Sequence, residues 1–328
     1  MERQFVNLIQ PRDSIDEIYR VADKQLRANR QGNDYILLQL NDRSGQISGL
    51  RWNANQSLYE SFQRGDYLRV IGTAQLHNGH MQIIIQDFES VPVEAVDSAD
   101  FSLNDPGEIE RNWDEMSGFL RAMKNVDLLR LAESYLSDEA LTAKLKRAPA
   151  GIKTHHAYEG GLLRHLLDLM RLATAIAPAY PQMDSDMLLM GVFLHDLGKL
   201  DELSFDGELT YSDSGQLIGH LVQGVVELER RADRLAQTQD GPIPEQTLWR
   251  LAHMVVSHHG HLEHGSPKVP MTIEAIVLHY LDDLDAKVNA ATEIIRADRN
   301  SDSPWTSFHA ILGRKLFKPS CQSASGVA

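Results

Sequence analysis

The chain has 328 residues, 42% of them apolar and 24% charged, which is enough for two domains with separate cores and excludes a chain disordered throughout. A net charge of −14 argues against a general nucleic-acid coat protein, and a single cysteine, Cys321, excludes a disulfide framework and fits a reducing compartment. The first residues lack a basic segment followed by an apolar stretch, and no apolar run approaches the roughly 20 residues that cross a bilayer, so a soluble cytoplasmic protein without a membrane partner is expected.

Charge is unevenly spread. Residues 1–93 hold 10 Lys+Arg and 11 Asp+Glu, which by subtraction from 32 and 46 leaves 22 and 35 for the remainder. The N-terminal part, at −1, is the less repulsive place for a polyanion, and some acid in the remainder, at −13, is expected to be neutralised by bound cations.

Within 1–93, β-rich runs are predicted at 18–22, 34–40, 46–52, 67–74 and 81–85, with turns at 41–45 and Asn78-Gly79 and a helical stretch Gln56–Gln63 before the fourth run. Five strands with a helix before the fourth match the order of an OB-fold, an all-β barrel whose open face and loops often bind single-stranded nucleic acid. Tyr35, Trp52 and Tyr67 are candidate stacking surfaces, and Arg43, Arg51 and Arg69 candidate phosphate contacts. The competing reading puts these aromatics in the barrel core and leaves the arginines as ordinary surface.

Residues 94–111 form an acidic, turn-rich linker. Beyond it, apolar residues recur at helical spacing through Leu120–Leu136, Leu162–Ala177, Met187–Leu194, Leu217–Leu235, Leu248–Val256 and Ile273–Ile295. An all-helical bundle is therefore predicted over 112–318, followed by a disordered tail over 319–328.

The run with the clearest chemistry is Phe193-Leu194-His195-Asp196-Leu197-Gly198-Lys199. Adjacent helix positions do not share one stripe, but at a helix end the second side chain can turn into the same cavity, and Gly198 is expected to supply the backbone freedom for this. His165, His220, His258, His259 and Asp282 stand on other predicted helices as further ligand candidates. Nitrogen and oxygen donors without thiolate suit Mn, Fe, Co, Ni, Zn or Mg. Lys199 either meets a bound phosphate or caps its helix. The run from Thr154 to Leu163 offers His155, His156 and Tyr158 as pocket contacts, with helix capping as the alternative for the histidines. Arg164 is a second candidate for phosphate charge, and His253, off the stripe of His258, is a reserve ligand.

His165, His195-Asp196 and Asp282, in this order, resemble the four-ligand signature of the HD-domain metal-dependent phosphohydrolases. The resemblance implies that these residues bind a divalent metal. Asp282-Asp283-Leu284-Asp285-Ala286 looks like the family's Asp-x-x-Asp-Ala ending, whose first aspartate is the ligand, which leaves Asp285 as an orienting group. Ile218-Gly219-His220-Leu221 and Ser257-His258-His259-Gly260 resemble the segments of the binuclear branch, where Asp196 would bridge two ions and His220, His258 and His259 would complete the second site.

An OB-like domain, an acidic linker, His155-His156-Ala157-Tyr158-Glu159-Gly160-Gly161-Leu162-Leu163, the His195-Asp196 pair, and Ser257-His258-His259-Gly260 with Gly265-Ser266-Pro267 together resemble the YhaM family of HD-domain 3′→5′ exoribonucleases, over roughly residues 5–318. The resemblance implies capture of single-stranded RNA, with single-stranded DNA as a second candidate, and hydrolysis from the 3′ end at a site commonly holding manganese. His195, Asp196 and Lys199 would then be the catalytic group, and a homo-oligomer is compatible with this reading. The chain departs from the pattern in having no basic cluster in its N-terminal part, which argues for weak capture. The rival readings are an HD-type nucleotidase or cyclic-nucleotide phosphodiesterase, and a nucleic-acid-binding protein with a structural metal.

Overall fold

A computed structural model of the chain describes residues 3–29, 32–77, 80–97, 100–101, 106–152, 158–205, 209–298, 303–309 and 312–318. The chain divides into two compact units, Met1–Leu103 together with Asn289–Ala328, and Asn104–Val288. The helical unit thus closes earlier than the expected 112–318.

The first unit contains β1 (Ser14–Ala28), β2 (Asp34–Asp42), β3 (Gly45–Trp52), α1 (Gln56–Glu60), β4 (Tyr67–His77) and β5 (His80–Val91). The strands close into a barrel in the order β1-β2-β3-β5-β4. On β2 the side chains alternate, with Ile36, Leu38 and Leu40 buried and Tyr35, Leu37 and Gln39 facing outward, the period of two that a half-buried strand requires. A shift in pairing between Val21 and Asp23 bends β1, so that its first half pairs with β4 and its second with β2. β1 and β5 exceed their predicted lengths because their added residues include Asp16, Glu17, Asp87 and Glu89, which mask the apolar half of the alternation.

α1 is capped by the Asn55 side chain, which accepts from the Leu58 N–H, and it leads into the buried Phe62. Lys24 points inward from β1; its ammonium donates to the carbonyl oxygens of Tyr59 and Phe62 and lies 4.3 Å from the Tyr59 ring centroid. Burial of this amine pushes its pKa down. The expected linker over 94–111 is in part fixed structure: the Asp100 carbonyl accepts from the Arg43 N–H, the Asp100 carboxylate pairs with Arg3 at 2.8 Å, and Phe101 is buried against Tyr67. The Asn78-Gly79 turn and the 319–328 tail lie outside the described residues.

The helical unit contains α2 (Pro106–Arg121), α3 (Val126–Leu136), α4 (Glu139–Arg147), α5 (Gly161–Ile176), α6 (Ser185–Leu194), α7 (Lys199–Glu202), α8 (Asp213–Ile218), α9 (His220–Ala236) and α10 (Glu245–Ser257). α11 (Ile273–Ala297) runs past the end of that unit. A two-stranded sheet, β6 (Leu203–Ser204) with β7 (Thr210–Tyr211), corrects the all-helical expectation for this part of the chain. The predicted helix Leu120–Leu136 is two helices, because the Asn125 side chain accepts from the N–H groups of Asp127 and Leu128 and starts α3 afresh. α6 has no polar face and is therefore the central helix; its Met187, Leu188, Met190, Val192, Phe193 and Leu194 are all buried. Among the described residues no helix is long and apolar enough to cross a membrane.

Candidate active site

α6 ends at Leu194, with His195 as its C-cap and Asp196 in the tight turn that follows. A buried apolar helix thus delivers an imidazole and a carboxylate into the interior, where they are 0% and 2% exposed. The role expected of Gly198 needs correction. Its φ of −59° is ordinary helical backbone, and glycine is required because a Cβ there would lie 2.0 Å from the His220 carbonyl oxygen. The missing side chain lets the first turn of α9 approach the pair.

Around Asp196 the side chains fall into two sets. One holds His165 of α5, His195 and Asp282 of α11; the other holds His220 of α9 with His258 and His259 from the end of α10, and donor atoms within each set lie within 4.8 Å of one another. Asp196 faces both. Its Oδ2 is 3.4 Å from His195 Nε2 and 3.8 Å from His165 Nε2, while its Oδ1 is 3.6 Å from both His220 Nε2 and His258 Nε2. Asp282 Oδ1 lies 3.3 Å from His165 Nε2.

The outward-turned nitrogens fix the chemistry of the inner ones. His195 Nδ1 donates to the Val192 carbonyl at 2.7 Å, His258 Nδ1 to the Val255 carbonyl at 2.7 Å, and His259 Nδ1 to the His264 carbonyl at 3.1 Å. A carbonyl oxygen only accepts, so Nδ1 carries the proton and neutral imidazole presents a lone pair at Nε2. His165 Nδ1 and His220 Nδ1 donate to Asp285 at 2.8 Å and Glu202 at 2.9 Å. Five Nε2 atoms are thereby aimed inward, and those of His165 and His195 are 3.4 Å apart. Asp196 Oδ1 and His220 Nε2 are buried without a hydrogen-bond partner. Buried polar atoms are ordinarily paired, and a convergent set of lone pairs and carboxylates is completed by cations. The residues present therefore fit divalent ions.

Electrostatics set the protonation of these groups when no cation is present. Burial opposes the charged form of His165, but Asp282 and Asp285 outweigh it and push the pKa up to about 9. Burial would raise Asp196, yet Lys199 and His195 hold it well below the usual carboxylate range. His258 is pushed down by burial and then by His195, and His259 by burial and then by His220, so both stay neutral lone-pair donors. Lys199 Nζ lies 2.6 Å from Asp196 Oδ2. Lys199 begins α7 and so is not the C-cap of the helix before it.

Other predicted residues separate from this centre. Arg164 is held by Asp168 at 2.6 Å and Glu108 at 3.4 Å, so its guanidinium is already neutralised and the phosphate contact expected of it is not supported. His253 Nε2 accepts from the Met271 N–H, a structural bond that removes it from the reserve ligands. Tyr158 is half-buried, with its carbonyl accepting from the Gly161 N–H at the start of α5. His155 and His156 lie outside the described residues. Glu202, which orients His220, was missed by sequence reading; it sits in a four-residue helix too short to show a period.

On the barrel, Tyr35 of β2 and Trp52 of β3 are direct cross-strand partners with ring centroids 4.9 Å apart, and Trp52 is 39% exposed. Arg51 pairs in register with the inward-facing Ile36 and Ile85, at the end of the barrel. Arg69 is corrected as a phosphate contact: Asp16 binds it at 2.7 and 2.9 Å and Glu89 at 3.3 Å. Arg43 stacks over Phe5 at 4.2 Å, and Tyr67 is half-buried edge-on to Phe101.

The profile of the HD domain family matches residues 162–287, and that of an OB-fold nucleic acid binding domain matches residues 20–91. The chain is 32% identical over 308 residues to the 3′-5′ exoribonuclease YhaM of Bacillus subtilis (strain 168), covering 94% of this chain and 95% of that protein. The proteins of the same name from Bacillus velezensis and Listeria welshimeri are 31% and 32% identical, over 94% and 81% of this chain and 95% and 82% of theirs. With this similarity running nearly end to end, across both the barrel and the histidine-lined helical site, the chain belongs to the YhaM family of 3′-5′ exoribonucleases.

Proposed function

We propose that this protein is a divalent-metal-dependent 3′→5′ exoribonuclease that acts on single-stranded RNA in the cytoplasm with two ions, most readily manganese. The observation that carries the reading is the division of Asp196, whose two oxygens face two separate histidine sets. A donor set of imidazole and carboxylate without thiolate admits manganese along with Fe, Co, Ni and Zn, and the choice of manganese among them follows the family resemblance. His165, His195, Asp196 and Asp282 would hold one ion, and Asp196, His220, His258 and His259 the other. Such a pair supplies a lowered water pKa and charge neutralisation at phosphorus.

The chain's own residues do the positioning. Asp285 and Glu202 hold His165 and His220 in the rotamer that aims Nε2 inward. Lys199 holds Asp196 in place and keeps it ionised. In the reaction, a water oxygen bonds to phosphorus as the P–O bond of the terminal phosphodiester breaks, and the shortened strand keeps a hydroxyl. Tyr35 and Trp52 offer adjacent faces on which unpaired bases stack, a sequence-tolerant contact that suits an exonuclease.

The test is a 5′-labelled single-stranded RNA with a free 3′ end, incubated with Mn²⁺. A descending ladder is expected from the wild type and none from Asp196→Ala, which should still bind the strand. Cleavage persisting in a folded Asp196→Ala protein would overturn the site, and hydrolysis of mononucleotides with the strand left intact would overturn the substrate.

A further inference from the structure

Of the barrel arginines expected to meet phosphates, Arg69 is already held by Asp16 and Glu89. Further positive charge is concentrated near the C-terminus. Residues 303–318 contain Arg314, Lys315 and Lys318 and no Asp or Glu, in a chain of net charge −14. Residues 303–309 and 312–318 run antiparallel, with Trp305 opposite Phe317 and His309 opposite Arg314. The Thr306 N–H donates to the Leu316 carbonyl at 2.9 Å, the Lys318 N–H to the Pro304 carbonyl at 2.7 Å, and the Leu316 N–H to the buried Thr306 Oγ1 at 2.9 Å. Asp298 fixes the ribbon to the end of the preceding helix, pairing with Lys318 at 2.9 Å and accepting from the Ser307 N–H at 3.2 Å.

This frame presents aromatic rings to water. Trp305 and Phe317 lie 5.2 Å apart at 68° and are 48% and 54% exposed, and Phe308 is 62% exposed. Arg314 and Lys315 are exposed, with no salt bridge among the described residues. Exposed rings held on a rigid frame beside unpaired cations match the bases and phosphates of a single strand.

We propose that the 303–318 ribbon is a second contact for single-stranded RNA, stacking bases on Trp305 and Phe317 and neutralising phosphates with Arg314 and Lys315. It belongs to the same compact unit as the barrel that bears Tyr35 and Trp52. The proposal rests on the reading of the substrate as RNA and adds positive charge to a unit whose Arg69 is already held by carboxylates.

The experiment uses the full-length chain carrying Asp196→Ala, so that strands stay intact, and a 5′-fluorescein oligouridylate titrated at several salt concentrations. Arg314→Gln with Lys315→Gln should weaken binding about tenfold or more and reduce the slope of log K against log salt by about 1.4, the value for two phosphate contacts on a single strand. Trp305→Ala with Phe317→Ala should weaken binding about tenfold or more with the slope unchanged. Thermal melts check the aromatic pair for folding, and the exposed cation pair keeps the test valid if the aromatic variant fails to fold. Unchanged affinity and slope in the cation variant would overturn the ribbon's role. So would a wild-type multimer that falls apart in the aromatic variant while RNA affinity per chain stays constant, since the surface would then be a subunit contact. If the Asp196→Ala parent itself binds no RNA, the substrate reading fails, and that outcome is separate from a parent that binds while its ribbon variants do so equally well.

Discussion

On the barrel, Arg69 reaches two carboxylates and Lys24 is buried against two carbonyls, so these two cations are satisfied by the fold itself. In the helical unit the polar atoms are arranged the other way. Five histidines each commit one nitrogen to the surrounding scaffold, and four of them, His165, His195, His220 and His258, turn the other toward Asp196. The contrast teaches that the number of charged residues in a region is a poor guide to ligand binding there. The informative quantity is where unpaired buried polar atoms converge. Asp196 Oδ1 and His220 Nε2, both buried without a hydrogen-bond partner, lie 3.6 Å apart in the helical unit, while the barrel offers stacking surface.

The largest expected effect comes from the group both histidine sets share. Asp196→Ala should reduce exonuclease turnover by at least about 10³-fold, measured as nucleotides released from a labelled strand, because both halves lose an oxygen donor. Retention of more than a few per cent of activity would mean that the two sets do not function through Asp196. Next in size are the residues that aim the histidines. Glu202→Gln and Asp285→Asn should each cost about 10–100-fold in divalent-cation affinity by calorimetric titration, the former mainly at the set of His220, His258 and His259 and the latter at that of His165, His195 and Asp282. Equal effects of both variants on a single binding step would collapse the two sets into one.

Acidity sharpens the same contrast. His165 is raised from 6.5 to about 9 when no cation is present, so its contribution to stability is complete below pH 6.5 and fades as pH climbs toward 9. The proton it holds must leave before a cation can bind. Apparent Mn²⁺ affinity should therefore rise by up to about tenfold per pH unit between 6.5 and 9, with matching proton release. A flat profile would remove His165 from the ligands.

Two smaller effects test the barrel. Trp52→Ala should weaken binding of an oligonucleotide by about 1–3 kcal/mol, read by fluorescence anisotropy, if bases stack on it. Arg69→Gln should change the same affinity less than about twofold, since exposed ion pairs are worth little and this guanidinium is already neutralised. The reverse ranking would show that the barrel acts through charge after all.

Much of the site was legible in the chain because the ligand motifs are local. His195-Asp196 ends an apolar run, His258-His259-Gly260 is contiguous just past the end of α10, and Asp282 to Asp285 lie within a single helical turn. Other features were not legible for stated physical reasons. Arg69 and Asp16 are 53 residues apart in sequence and meet only because β1 and β4 pair in the barrel. Glu202 carries no periodic signal, and Asn125 splits an apparently continuous apolar stripe into two helices by capping the second. Gly198 was noticed for backbone freedom, whereas its function depends on the distance to a carbonyl in another helix.

By itself, the sequence indicated the two regions and their secondary-structure types, because periodicity is a property of short segments, and its family resemblance supplied the candidate metal ligands. Tertiary structure decided which nitrogen of each histidine faces inward, that Asp196 stands between two sets, and which cations are already spent. Those outcomes depend on hydrogen bonds and approaches between residues far apart in the chain, and only packing brings such residues within reach of one another.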